Sequence, residues 1–274
     1  MERREVLTKR RVKMPYTLDV KKKQAPPLIK KKQIPPFAKK PRGITMAYER
    51  ALRGIAREIG RLVKGYVSDD PLDATTITSL TQVLRQYADI ISPWALHLVN
   101  NVFRSVDNAD RTAWREHSKN MALALRKELD EAPVGDTLTE IMRQNVLLIK
   151  SIPLEAAERV HKLVQENMMQ SRRASEVAEM IMKTESVTKN RATLIARTEI
   201  SKASTALTQS RALFVGSDGY VWRTTGDMIV RKSHKEMNGK FVKWTEPVTL
   251  DNMIGHAGGF PNCRCWTDVQ LPEG

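Results

Sequence analysis

The feature that most narrows what this chain can become is a tandem repeat near its start. Lys-Lys-Lys-Gln-Ala-Pro-Pro-Leu-Ile at residues 21 to 29 runs directly into Lys-Lys-Lys-Gln-Ile-Pro-Pro-Phe-Ala at 30 to 38. Paired prolines fix φ and remove backbone donors, so neither a helix nor a central strand can form here, and the segment is expected to be extended and polyproline-like. At about 3.1 Å per residue, roughly 40 such residues reach on the order of 120 Å, enough to cross a neighbouring subunit. The apolar pairs Leu28 with Ile29 and Phe37 with Ala38 suit docking grooves. Lys21, Lys22, Lys23, Lys30, Lys31, Lys32, Lys39, Lys40 and Arg42 suit phosphate or acidic side chains.

Charge is as unevenly placed as the prolines. The whole chain carries +15, yet residues 1 to 42 alone hold 15 Lys or Arg against Glu2, Glu5 and Asp19, which is +12 and leaves +3 for the remaining 232 residues. A strongly basic arm on a nearly neutral body calls for a polyanion or an acidic protein surface as its partner, with affinity that falls steeply with salt. The bland reading is a solubilising tail.

Beyond the arm, 41% apolar content with only 5% aromatic fits a mostly helical protein with a sizeable core. Cys263 and Cys265 are the only cysteines, and a bridge between residues so close would be strongly strained, so a disulfide framework is not expected and a reducing compartment fits. The first residues lack an apolar run behind their charges, and no stretch approaches 18 apolar residues. Neither a signal peptide nor a membrane span is expected.

From Ile44 the pattern becomes helical, with Tyr48, Leu52, Ile55, Ile59, Leu62 and Tyr66 on one face and Arg50, Arg53, Arg57, Arg61 and Lys64 on another. Such a basic stripe is usually a solvated face, but this one continues the charge of the arm and extends a contact surface. Further helices are expected near 74 to 91, 94 to 106, 110 to 130 and 136 to 150. Asp69-Asp70-Pro71, Ser92-Pro93 and Pro133-Val134-Gly135 punctuate them. Pro153 is well placed to open another helix, and helices near 174 to 184 and 188 to 214 should follow. On the last of these, Glu199 shares a face with Ala192, Ile195, Ala196, Ala203 and Ala206; a buried carboxylate needs a partner, for which Arg231 and His234 are candidates. After Gly216 come short β-prone runs, GYVWRTT, GKFVKWT and CRCWTDVQL, with Asn238-Gly239 expected as a hairpin turn between strands. The expected architecture is mainly α with a small α+β C-terminal unit: an extended basic arm at 1 to 43, a helical domain at 44 to 215, and the α+β unit at 216 to 274.

The series Ala196-Arg197-Thr198-Glu199, then Trp222, Asp227, Arg231, His234 and Gly239, then Pro261, Asn262, Cys263, Arg264 and Cys265, resembles the Mu F-like phage head morphogenesis family over roughly residues 196 to 267. The resemblance implies a minor head protein of a tailed bacteriophage and not an enzyme. It would be made in the host cytoplasm and held in the virion, in the capsid interior or at the portal vertex. The implied partners are the portal protein, the major capsid protein and packaged double-stranded DNA, with a bearing on DNA ejection and no membrane contact. Some family members carry toxin or transferase domains; none is expected here, where nine residues follow Cys265.

Two thiols in a CxC pattern with His234 and His256 also form a composition suited to a structural zinc ion. The alternative is that both cysteines are small buried apolar residues while the histidines fix loops. Two rival functions remain. Asp227, His234, His256 and Asn262 could build a metal-dependent nuclease, although no carboxylate cluster for two metals accompanies them and Asp227 beside Arg231 equally makes an ion pair. The arm alone could instead serve a sequence-independent DNA-binding protein. No P-loop, dinucleotide fingerprint or nucleophile elbow is present.

Overall fold

The computed structural model describes residues 41–69, 74–117, 132–170 and 174–271. The proline-rich arm, with Lys21, Lys22, Lys23, Lys30, Lys31, Lys32, Lys39 and Lys40, lies outside the described residues. The elements run α1 (Arg42–Asp69), α2 (Ala74–Ile90), α3 (Ser92–His117), α4 (Gly135–Gln170), α5 (Ala174–Met182), α6 (Thr184–Phe214), β1 (Gly219–Thr224), α7 (Lys232–Glu236), β2 (Phe241–Lys243), β3 (Val248–Leu250), β4 (Met253–Gly255) and β5 (Cys265–Gln270). No helix among the described residues is long and apolar enough to cross a membrane.

The chain divides into two compact units. One draws on Lys40–Ala109 and Leu138–Ala203, the other on Asp110–Thr137 and Ser204–Gly274. In the first, the periodic residues of α1 fall inside as expected: Tyr48, Leu52, Ile55 and Ile59 are buried. At the far end Val63 is buried, while Leu62 and Tyr66 are only half-buried. Two of this unit's buried polar side chains satisfy each other. Tyr48 Oη donates to Asn145 Oδ1 (3.1 Å), and Asn145 Nδ2 donates to the Ile141 carbonyl (2.9 Å).

Two expected helix boundaries do not exist. α3 runs unbroken to His117 where a break near 107 to 109 was expected, the remainder of that expected helix lying outside the described residues. Pro153, expected to open a helix, sits inside the 36-residue α4. A proline here withholds the hydrogen bond to the carbonyl four residues back, yet Ile152, Ala156, Ala157 and Val160 are buried around it. The apolar packing of that face outweighs the lost bond.

α6 is buried on nearly every side from Ile195 to Leu213. Its residues there are mostly Ala, Ser and Thr, small enough for neighbouring backbones to close around them. In the C-terminal unit β1 is the central strand of a three-stranded antiparallel sheet, β2-β1-β5, and β3 pairs with β4 as a separate hairpin. The three β-prone runs therefore become β1, β2 and β5. Alternation buries Tyr220 and Trp222 of β1 and Cys265 and Val269 of β5, which form one core with Trp114, Leu213, Trp244, Ala257 and Phe260. Asn238-Gly239 is not the turn of a strand hairpin. It ends α7 and leads into β2, with Gly239 at φ 84° donating its N–H to the Trp222 carbonyl (2.8 Å) and Asn238 Oδ1 accepting from the Thr224 N–H (3.0 Å).

Candidate functional site

The site grows from the run Phe260 to Cys265. Proline presets φ at one position and asparagine tolerates the left-handed region at the next, so Pro261 and Asn262 (φ 51°) make a tight turn closed by Cys263 N–H to the Phe260 carbonyl (3.1 Å). The chain leaves this turn extended into β5. Residues two apart on extended backbone share a face, so Cys263 and Cys265 point inward together while Arg264 points out. The Cys265 N–H donates to Cys263 Sγ (3.4 Å).

Opposite the sulfurs stands His234, on the one-turn helix α7. Its Nδ1 lies 3.4 Å from Cys263 Sγ and 3.5 Å from Cys265 Sγ, and the three ligand atoms all fall within 4.8 Å of one another. All three residues are buried. Trp222 meets the imidazole edge-on at a centroid distance of 5.7 Å and Phe260 at 4.9 Å, which fixes the ring plane. The other nitrogen, Nε2, is buried with no hydrogen bond among the described residues, and Asp251 Oδ2 lies 3.7 Å from it.

Sequence reasoning misses Asp251. It sits with Asn252 between β3 and β4, both in the left-handed region (φ 52° and 63°), as a two-residue hairpin of the twisted antiparallel kind requires. The Leu-Asp-Asn-Met run is the signal that would find it. Ser233 Oγ donates to Asp251 Oδ1 (2.9 Å), and Arg231 Nε lies 3.7 Å from Oδ2 while its Nη2 donates to the Pro261 carbonyl (2.9 Å). Arg231 thereby ties the Asp251 turn to the Pro261 turn.

The remaining motif residues are placed differently from expectation. Asp227 pairs with Arg264, not Arg231. Desolvation, the largest single influence on the Asp227 carboxyl, raises it, but Arg264, the Thr225 hydroxyl and the Ile229 N–H together outweigh it and hold it below the ordinary carboxylate range. His256 does not join the cysteines. It stands 3.3 Å through Nδ1 from Tyr220 Oη, with Trp244 beside it, and burial pushes its imidazole down to about 4. Of the four expected metal ligands the structure thus gathers His234, Cys263 and Cys265, while of the set expected of a nuclease Asp227 is engaged with Arg264 and His256 with Tyr220. Glu199 is buried as expected, but its carboxylate accepts from Lys202 Nζ (2.8 Å) one turn along its own helix, while Arg231 and His234 face Asp251. Arg197 beside it is exposed and paired with Glu49 (3.1 Å).

On α1, Arg42, Arg50, Arg57 and Arg61 are exposed and Arg53 is half-buried. Two of the five are partly neutralised, Arg53 by Glu49 (3.5 Å) and Arg61 by Glu58. Arg50, Arg57 and Lys64 repeat every seven residues along one exposed line.

The Pro-Asn-Cys-Arg-Cys turn and the histidine facing it are the elements on which the likeness rests, and a comparison of the chain with known families bears it out. Residues 158–267 match the family of phage Mu protein F like proteins. The matched F-like segment spans the last third of α4, all of α5 and α6, and the strands and turns that follow as far as Thr267. A curated relative, an uncharacterized protein of Haemophilus influenzae, is 30% identical over 204 residues, covering 73% of this chain and 44% of the relative. The chain therefore spans less than half the length of that relative. No solved structure matches it.

Proposed function

We propose that the chain is a minor head protein of a tailed bacteriophage that acts in head morphogenesis near the portal. The observation that carries this reading is the F-like match over residues 158–267, which takes in the whole Pro261 to Cys265 turn and the histidine opposite it. Likeness to that family supports a role in the phage head, and the architecture agrees with a structural part: its motif residues tie turns together and brace a small core. In this reading the arm, with +12 in its first 42 residues, threads along packaged double-stranded DNA or an acidic face of the portal or major capsid protein. Arg50, Arg57 and Lys64 extend that surface onto the body.

The test has two parts. Virions of the producing phage, purified through a density gradient, are expected to contain the chain at low copy, and its absence from them would sink the assignment. Mobility shift with duplex DNA across a salt series is expected to show steep, sequence-independent binding by the full chain and its loss on deletion of residues 1 to 43. Undiminished binding after the deletion would move DNA contact to the body and leave the arm as a protein strap. Cleavage of the DNA with Mg²⁺ or Mn²⁺ would favour a nuclease instead.

A further inference from the structure

We propose that His234, Cys263 and Cys265 bind one Zn²⁺ ion through Nδ1 and the two thiolates, with Asp251 as the outer carboxylate that orients the histidine. The geometry is already that of a metal site. With Zn–S near 2.3 Å and Zn–N near 2.0 Å, a tetrahedral centre sets its sulfur and nitrogen ligands about 3.5 Å apart. The two observed separations are 3.4 and 3.5 Å. A neutral imidazole nitrogen has one lone pair, so two thiols at the same distance from it are poorly served by a hydrogen bond and well served by a shared cation.

The surroundings suit the charged form of this set. The Cys265 N–H directed at Cys263 Sγ stabilises a thiolate. With Nδ1 on the metal, the ring proton must reside on Nε2. That atom is buried without a hydrogen bond among the described residues, and the carboxylate of Asp251 is 3.7 Å away. A carboxylate behind a histidine fixes its tautomer and raises its strength as a ligand. A small closing movement of the Asp251 turn completes this contact. The fourth tetrahedral corner goes to a ligand from outside the trio, a water molecule in the simplest case. Binding releases the thiol protons and leaves the oxidation states unchanged.

The ion would join α7 to the mouth of β5, two segments that have no strand pairing with each other. Its role is to staple the C-terminal unit, and it stands apart from any capsid or DNA contact. The inference does not depend on the phage reading.

The test uses the full chain purified without chelator. Elemental analysis is expected to find one zinc per chain, and Co²⁺ exchanged into the protein is expected to give the intense near-ultraviolet thiolate-to-cobalt band together with tetrahedral visible bands. Cys263→Ser and Cys265→Ser should each diminish that band, while His256→Gln should leave it intact. Asp251→Asn should keep the stoichiometry but weaken zinc about 10- to 100-fold in competition with a chromophoric chelator. Absence of bound zinc, of cobalt bands and of any change in thiol reactivity on adding Zn²⁺ to the wild-type chain would overturn the proposal, and it needs no variant to fold. A cobalt band that persists in Cys263→Ser and vanishes in His256→Gln would overturn the ligand assignment.

Discussion

Tyr220 Oη accepts the backbone N–H of Ala257 at 3.0 Å and stands 3.3 Å from Nδ1 of His256. The phenol oxygen keeps a second lone pair as well as its proton, so this contact serves either tautomer of a neutral imidazole. Burial agrees from both ends: it raises Tyr220 well above its ordinary 10.0 and lowers His256 from 6.5 to about 4.

Stability should therefore fall as pH drops through this window. The unfolded chain takes up a proton near 6.5 and the folded chain only near 4, so the unfolded state binds more protons in between. The contribution of His256 is complete above 6.5 and is lost progressively down to about 4, on the order of 3 kcal/mol in all. His117, lowered by burial against the pull of Asp268 and Glu116, acts in the same direction. Denaturant titrations from pH 7 to pH 4 should show the loss, and His256→Gln should remove most of the slope. An unaltered slope in that variant would refute the assignment.

A second expectation concerns Arg211 of α6, buried in an ion pair with Asp110, which also accepts from the Thr208 hydroxyl. Replacing Arg211 with Leu leaves the buried Asp110 carboxylate without this cation and should cost about 3–5 kcal/mol. Asp110→Asn with Arg211→Leu should recover part of the loss. If the double variant is as unstable as the sum of the singles, the two groups are not coupled.

Gly219 opens β1 against β2, and a Cβ there would press on the Val242 carbonyl and the Phe241 ring. Backbone cannot yield as a side chain does, so Gly219→Ala should destabilise by about 1–3 kcal/mol. Gly65 in α1 faces open space, so Gly65→Ala should stabilise by roughly 0.5–1 kcal/mol. Chemical denaturation of both variants checks the contrast; equal effects of the same sign would contradict it.

If the α1 line touches DNA, replacing Arg50, Arg57 and Lys64 with Gln should flatten the dependence of binding on salt by about 0.9 for each phosphate that is no longer neutralised. Mobility shift at several salt concentrations reads this directly. A change in affinity with an unchanged slope would place the three cations off the phosphates.

Periodicity carries α1 because its apolar residues repeat over many turns, and alternation carries β1 and β5. Pro153 misleads because a proline signals a boundary only when the flanking packing is weak, and here Ile152 and Ala156 are buried beside it. The trio at the site is legible in part: CxC declares two sulfurs on one face wherever the chain is extended, but nothing local says which histidine meets them. His256 is nearer in sequence, yet it packs against Tyr220 and Trp244, whereas His234 packs against Trp222 and Phe260. Asp251 escapes sequence reasoning because its role depends on a left-handed two-residue turn, and Asp-Asn signals that turn less strongly than Asn-Gly or Asp-Gly does.

The central place of β1 sets an order of events. Its partner along the whole of one edge is β5, with Arg223 and Asp268 bonded across 45 residues, and the Arg211 to Asp110 pair closes across 101. Loops of that size carry their closure entropy before any contact rewards it. On a ribosome adding residues from the N-terminus, the α1 to α2 pairing can form early, whereas β1 must wait for Cys265 to Gln270 to emerge. The C-terminal unit is thus set late, and a chain truncated before β5 should leave the ribosome with its aromatic core open to proteases and chaperones.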